Sequence, residues 1–225
     1  MIACKKNQSE TTLNANQYRW FEFTLIFVLL PLIGFTLRSY LANWLIPALI
    51  VLMSVCCMLL LNDPHFKRFR LTSMGQFSAV KRRLFSFFFL GALFSGVFYG
   101  IIHQENWFSM PLHSFYNWLL LLLLYPLLSV LPQELIFRTY FFHRYKRIMP
   151  KKRVRIVVSA TVFALAHIVY ANWVAVGLAF LGGLLFSFTY AQSRSTIVCV
   201  IEHSLWGLWM FTLGIGSSLD SGAIS

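Results

Sequence analysis

Glu134 and Arg138 stand four residues apart in the stretch Leu-Pro-Gln-Glu-Leu-Ile-Phe-Arg, at the end of a long apolar run that begins near Phe115. Four residues is about one helical turn, so the carboxylate and the guanidinium share a face, and inside hydrocarbon neither charge is tolerated without a partner. The two are therefore expected to pair. Two other apolar runs carry one imidazole each, His167 and His203. A carboxylate and two imidazoles suit hydrolysis. The carboxylate takes a proton from water, one imidazole shares or relays it, and the other donates to the oxyanion formed as water adds to a carbonyl. The same groups make a two-histidine, one-glutamate set for zinc, with a position open for water. Helical metal sites usually pair their ligands at short spacing, whereas each group here comes from a different run, so no cofactor is expected and zinc is the lesser reading.

These residues have to be positioned by membrane helices. With 58% hydrophobic and 12% charged residues and a mean hydropathy of +0.68, the chain lies outside the soluble globular range. A hydrocarbon layer of about 30 Å needs about 20 apolar residues at 1.5 Å each. Seven runs qualify, at 20–37, 41–61, 84–102, 115–142, 156–170, 173–191 and 196–213. The expected fold is an all-α, polytopic transmembrane helical bundle, read as one membrane domain over 1–225, with Pro31 and Pro47 as candidate kinks.

The net charge of +12 is explained by topology rather than by nucleic acid, because no segment is long enough to form a basic aqueous domain. With seven spans and the amino terminus cytoplasmic, every lysine and arginine except Arg38 and Arg138 falls in a cytoplasmic segment. The outer loop 103–113 holds none, and Trp107, Trp118 and Trp173 fall near span boundaries as interface anchors. The basic loops set orientation and touch anionic headgroups; a secondary reading has 144–155 receive an acidic substrate tail. From the cytoplasmic ends of their spans, Glu134, His167 and His203 lie roughly 12, 16 and 10 Å deep at about 1.5 Å per residue. That shared layer predicts one cavity. Glu202 is a further carboxylate but points about 100° away from His203 on a helix, and His65, His103, His113 and His143 are expected to be solvated. Cys4, Cys56, Cys57 and Cys199 have neither disulfide nor metal spacing. The polar first nineteen residues lack a cleavable signal pattern, which together with the compact chain suggests a bacterial inner membrane.

The set Glu134-x-x-x-Arg138, Phe163-x-x-x-His167 and His203 resembles the CAAX protease and bacteriocin-processing family of intramembrane endopeptidases over about 116–211, the expected catalytic core. The resemblance implies a cytoplasm-facing cavity, hydrolysis of a peptide bond by glutamate-activated water, and histidine-assisted oxyanion stabilisation. It also implies a membrane-anchored or lipidated peptide as substrate. The family has two adjacent glutamates before the arginine and usually a polar residue four after the last histidine; here Gln133 and Gly207 hold those places. An amide cannot act as a base, so Glu134 takes over that role, with Gln133 orienting substrate or water and Ser204 or a backbone group replacing the missing donor. Catalytic Glu134, His167 and His203 with supporting Arg138, Gln133 and Phe163 form the expected site. The alternatives are a catalytically silent relative acting as a membrane immunity or scaffolding protein, and a small proton-coupled transporter relaying through Glu134, His167 and Glu202.

Overall fold

Seven helices long and apolar enough to cross a membrane run through the residues described by the computed structural model, 14–74 and 77–215. They are α1 (Asn14–Thr36), α2 (Arg38–Leu61), α3 (Phe77–Ile102), α4 (Phe115–Arg144), α5 (Lys152–Tyr170), α6 (Trp173–Ser193) and α7 (Thr196–Leu213). Cys4, Lys5 and Lys6 lie outside the described residues, while Cys56, Cys57 and Cys199 are free thiols. The chain is an integral membrane helical bundle. Each expected span is present, and the differences lie at the ends, where α1, α3 and α5 begin several residues early in polar or basic sequence. A helix satisfies its own backbone, so it need not stop where the hydrocarbon stops.

The prolines act according to position. Ahead of Pro31 the turns of α1 widen over Leu25–Leu29, which accommodates a residue with no N–H to give to the preceding turn. Pro47 sits in the first turn of Leu45–Leu61, just after a tight 3-10 turn at Ala42–Trp44, where its missing N–H is not needed. The break in α2 therefore comes before Pro47 rather than at it.

The core is built mainly of α4 to α7, with α1 and α2 packed on its outside. Helices α5 and α6 form a close antiparallel pair, joined by a short turn in which the Asn172 side chain accepts from the amides of Val174 and Ala175 and caps α6. Gly183 lets the two backbones meet: a Cβ there would lie 2.9 Å from Cα of Ala160. Phe23 and Phe27 of α1 make edge contacts with Phe141 of α4 and with Tyr145 just past its end. Helix α3 is peripheral, packing Val80 and Leu84 on Val198 while Leu90, Leu93 and Phe94 are exposed as a lipid-facing surface.

The two ends of the bundle differ in charge. At one end, the one the sequence-based topology assigns to the cytoplasm, Arg19, Lys67, Arg70, Arg144, Lys146 and Arg147 surround a common cavity. Glu22 is buried there and takes hydrogen bonds from Tyr140 (2.6 Å), Tyr145 (3.0 Å) and both Nε and Nη2 of Arg144 (2.9 and 2.5 Å). One carboxylate thus clips α1 to α4. His143, expected to be solvated, is instead half-buried, 2.8 Å from Asp63 and edge-on to Phe66, because the 62–74 loop folds back over the end of α4. At the other end Trp118 Nε1 donates to Thr212 Oγ1 (3.0 Å), and the amide of Phe108 reaches the Leu213 carbonyl (3.3 Å), which seats the outer loop on α7.

Candidate active site

The middle of α4 is not a uniform α-helix. Wide π-type turns at Tyr125–Val130 and Leu135–Tyr140 bracket the single α turn Leu131–Glu134, and prolines stand at 126 and 132. Each wide turn shifts the helical register, and such insertions recur at functional sites. Here they sort two neighbouring side chains to opposite fates. Gln133 joins Tyr125 and Ser129 on the wall of a cavity of about 380 Å³, and its amide donates to Ser129 Oγ at 2.8 Å. Glu134 turns away, is fully buried and does not line that cavity.

Glu134 meets α7 instead. Its Oε1 lies 2.8 Å from His203 Nδ1, and Arg138 Nη1 approaches the same oxygen at 3.2 Å. The sequence-expected pair therefore exists, with both side chains at 0% exposure. The guanidinium makes no hydrogen bond to a described residue; it lies over the ring of Phe163 (4.2 Å to the centroid) and near that of Phe186 (5.4 Å). Cation–π contact thus supplements the ion pair in a place closed to the surface.

The two imidazoles are held alike. A carboxylate only accepts, so His203 presents Nδ1–H to Glu134 and, when neutral, leaves Nε2 as its acceptor; the Tyr125 hydroxyl is the nearest group there, at 3.5 Å. A carbonyl also only accepts, so His167 donates Nδ1–H to the oxygen of Phe163 at 2.8 Å and likewise keeps Nε2 free to accept. His203 stacks on Phe186 with centroids 4.5 Å apart and planes 18° from parallel. Phe163 touches His167 (4.6 Å) and His203 (5.6 Å) with its ring while carrying the Arg138 cation. One phenylalanine therefore spaces both imidazoles.

The cavity is walled by α4, α5, α6 and α7, and apart from Gln133, Ser129, Tyr125, Tyr170 and the two histidines its lining is mostly apolar. His167, His203, Gln133 and Phe163 all reach it, whereas Glu134 and Arg138 stand behind His203. Glu202 is buried off the wall, within electrostatic reach of Arg83, Glu134 and Arg138. Ser204 is also buried away from the wall. Among the described residues no three histidine, cysteine, aspartate or glutamate side chains are grouped as a metal site would need.

Tyr125 was not foreseen. A Cβ on residue 207 would overlap its hydroxyl, so glycine there is what lets the phenol reach the cavity. The signal was present in the stripe Tyr125, Ser129 and Gln133, three polar residues four apart in a leucine-rich span.

No curated protein and no solved structure matches the chain. A family model does, that of the type II CAAX prenyl endopeptidase Rce1-like proteins, over residues 115–209, which include α4 through His203 and nearly all of the cavity wall. The match falls on the stretch in which the sequence resembles CAAX proteases, residues 116–211, and covers less than half of the chain.

Proposed function

We propose that the protein is an intramembrane endopeptidase that hydrolyses a peptide bond of a membrane-anchored or lipidated substrate, with His203 rather than Glu134 as the group that meets water. The family match supports a CAAX-protease-like endopeptidase at family level. The observation that carries the reading is that two imidazoles, each anchored through Nδ1, line one mostly apolar cavity. Water enters between them. As its oxygen bonds to the scissile carbonyl carbon, its proton passes to Nε2 of His203, and Glu134 stabilises the imidazolium through Nδ1–H. The Tyr125 hydroxyl and the Gln133 amide, both on the wall, donate to the developing oxyanion. The proton then goes to the departing amine as the C–N bond breaks. Glu134 orients and polarises without touching substrate, and Arg138 holds Glu134.

The test is cleavage of a lipidated peptide embedded in vesicles containing the purified protein. Loss of a general base or acid typically lowers the rate about 10²- to 10⁴-fold, and His203→Ala is expected in that range, while His167→Ala, which removes the imidazole on the other side of the water, is expected to lower the rate as well. Undiminished cleavage in both variants would remove the assignment.

A second reading is favoured by one observation: the side chain that faces the cavity next to the glutamate is an amide, and the carboxylate itself is sealed away. A protein of this kind binds a membrane segment without cutting it. Gln133→Glu separates the two readings, since a silent site gains activity when a carboxylate faces the cavity, whereas a site run by His203 loses an oxyanion donor and slows.

A further inference from the structure

A second cavity, of about 290 Å³, opens at the basic end between the start of α1, the 62–74 loop and the end of α4. The cations around it are not neutralised from within. Of the two carboxylates nearby, Glu22 is engaged by Arg144, Tyr140 and Tyr145, and Asp63 by His143 and His65. Arg19, Lys67, Arg70, Lys146 and Arg147 form no ion pair with a carboxylate among the described residues. Arg19 and Arg70 are half-buried, and the Nε of each is shut off from solvent with no hydrogen-bond partner there. Arg19, whose Nη1 donates to the Ala15 carbonyl and Asn16 Oδ1 at 3.4 Å, lies within the field of Arg147 and Arg144, offset in part by Glu22 and Asp63. Like charges converge on an enclosed space, and the Nε–H groups of two of them are left over by the protein, which suits an anion with several acceptor oxygens. Guanidinium groups match phosphate in this respect.

The surroundings indicate where that anion would come from. Trp20 and Phe69, next in sequence to Arg19 and Arg70, are 46% and 58% exposed. Exposed apolar rings next in sequence to two of the cations fit a group that sits at the boundary between hydrocarbon and water.

We propose that this cavity binds a phosphate group, the chemistry shared by an anionic phospholipid headgroup and a soluble phosphate ester. The site is separate from the α4–α7 cavity and stands whether or not that cavity cleaves peptides.

The full chain in nanodiscs of phosphatidylcholine is titrated with phosphatidylglycerol, and the bound lipid is counted by native mass spectrometry. One basic side chain near anionic lipid is worth about fivefold in affinity. Arg19→Gln with Arg70→Gln is expected to reduce phosphatidylglycerol retention by more than about tenfold, and Lys146→Gln with Arg147→Gln to reduce it in the same direction. The exposed pair Lys81→Gln and Arg82→Gln, outside the cavity, should change it less than about twofold at physiological salt, where exposed charges are screened within roughly 8 Å. The second cavity pair covers the case in which the first fails to fold, and unfolding in phosphatidylcholine alone monitors both. Inorganic phosphate that displaces the lipid identifies phosphate itself as the recognised group, whereas retention in its presence assigns the site to the lipid. Equal loss in the cavity and control variants, or no preference over phosphatidylcholine, overturns the proposal.

Discussion

Glu134 reaches the α4–α7 cavity only through His203, whose Nδ1 lies 2.8 Å from its Oε1. In the proposed mechanism the glutamate is a positioning residue, and its place in the ion pair can be tested apart from turnover. Removing one member of a buried ion pair costs about 3 to 5 kcal/mol, because the other charge is left uncompensated. Glu134→Ala is therefore expected to lower unfolding stability in detergent by that order, with Arg138→Met in the same chain recovering much of it. Equal destabilisation by the single and double variants would show that Arg138 is not balanced by Glu134.

Tyr125 and Gly207 compete for one space. Gly207→Ala alone overpacks the cavity, a change that usually costs about 1 to 3 kcal/mol. Tyr125→Ala in the same chain should remove that cost, giving a coupling energy of opposite sign to the single effect. Tyr125→Phe keeps the packing and deletes the donor. If the hydroxyl serves the oxyanion, kcat falls by about 10²-fold with little change in KM, and an unchanged kcat would withdraw that role.

Asp63 supplies a pH dependence. Burial opposes ionisation of its carboxyl, but hydrogen bonds from His143 and His65 outweigh that effect and hold its pKa down at about 2. The folded value lies below the ordinary aspartate value of about 3.9, so the stabilisation is present in full above about pH 4 and disappears as pH falls through about 2. Unfolding midpoints of the native chain and of Asp63→Asn should differ at pH 5 and converge near pH 2. A gap that stays constant across that range would show that the carboxylate is not held by these partners.

The Glu22 clip predicts a loss localised to one helix. Glu22→Ala leaves Arg144, Tyr140 and Tyr145 without their common acceptor, and a buried donor left unsatisfied costs about 1 to 3 kcal/mol. Hydrogen exchange should rise first in α1 while α5 and α6, packed on each other, stay protected. A uniform rise across all spans would contradict the clip.

The spans and their order were legible because hydrocarbon demands length, and length is written in the apolar runs. The meeting of Glu134 with Arg138 and His203 was legible too, since unpaired charge at that depth is costly and the three groups share a layer. Which of Gln133 and Glu134 faces the cavity was not. That depends on two wide turns in α4, and regular spacing of 3.6 residues cannot place a side chain beyond a register shift. The prolines at 126 and 132 marked the spot without giving the direction. Glu22 stood in plain view as an acid within an apolar run, but its partners Tyr140, Arg144 and Tyr145 lie more than a hundred residues away.

Every residue on the wall of the larger cavity comes from position 125 or later. The described part of the opening hundred residues supports that chamber from outside, as where Phe88 of α3 packs edge-on against Trp206 of the wall and Phe27 of α1 against Phe137. Substitutions in α1, α2 and α3 therefore replace no side chain of the lining, and the stretch that the family model matches is the one that encloses the chamber.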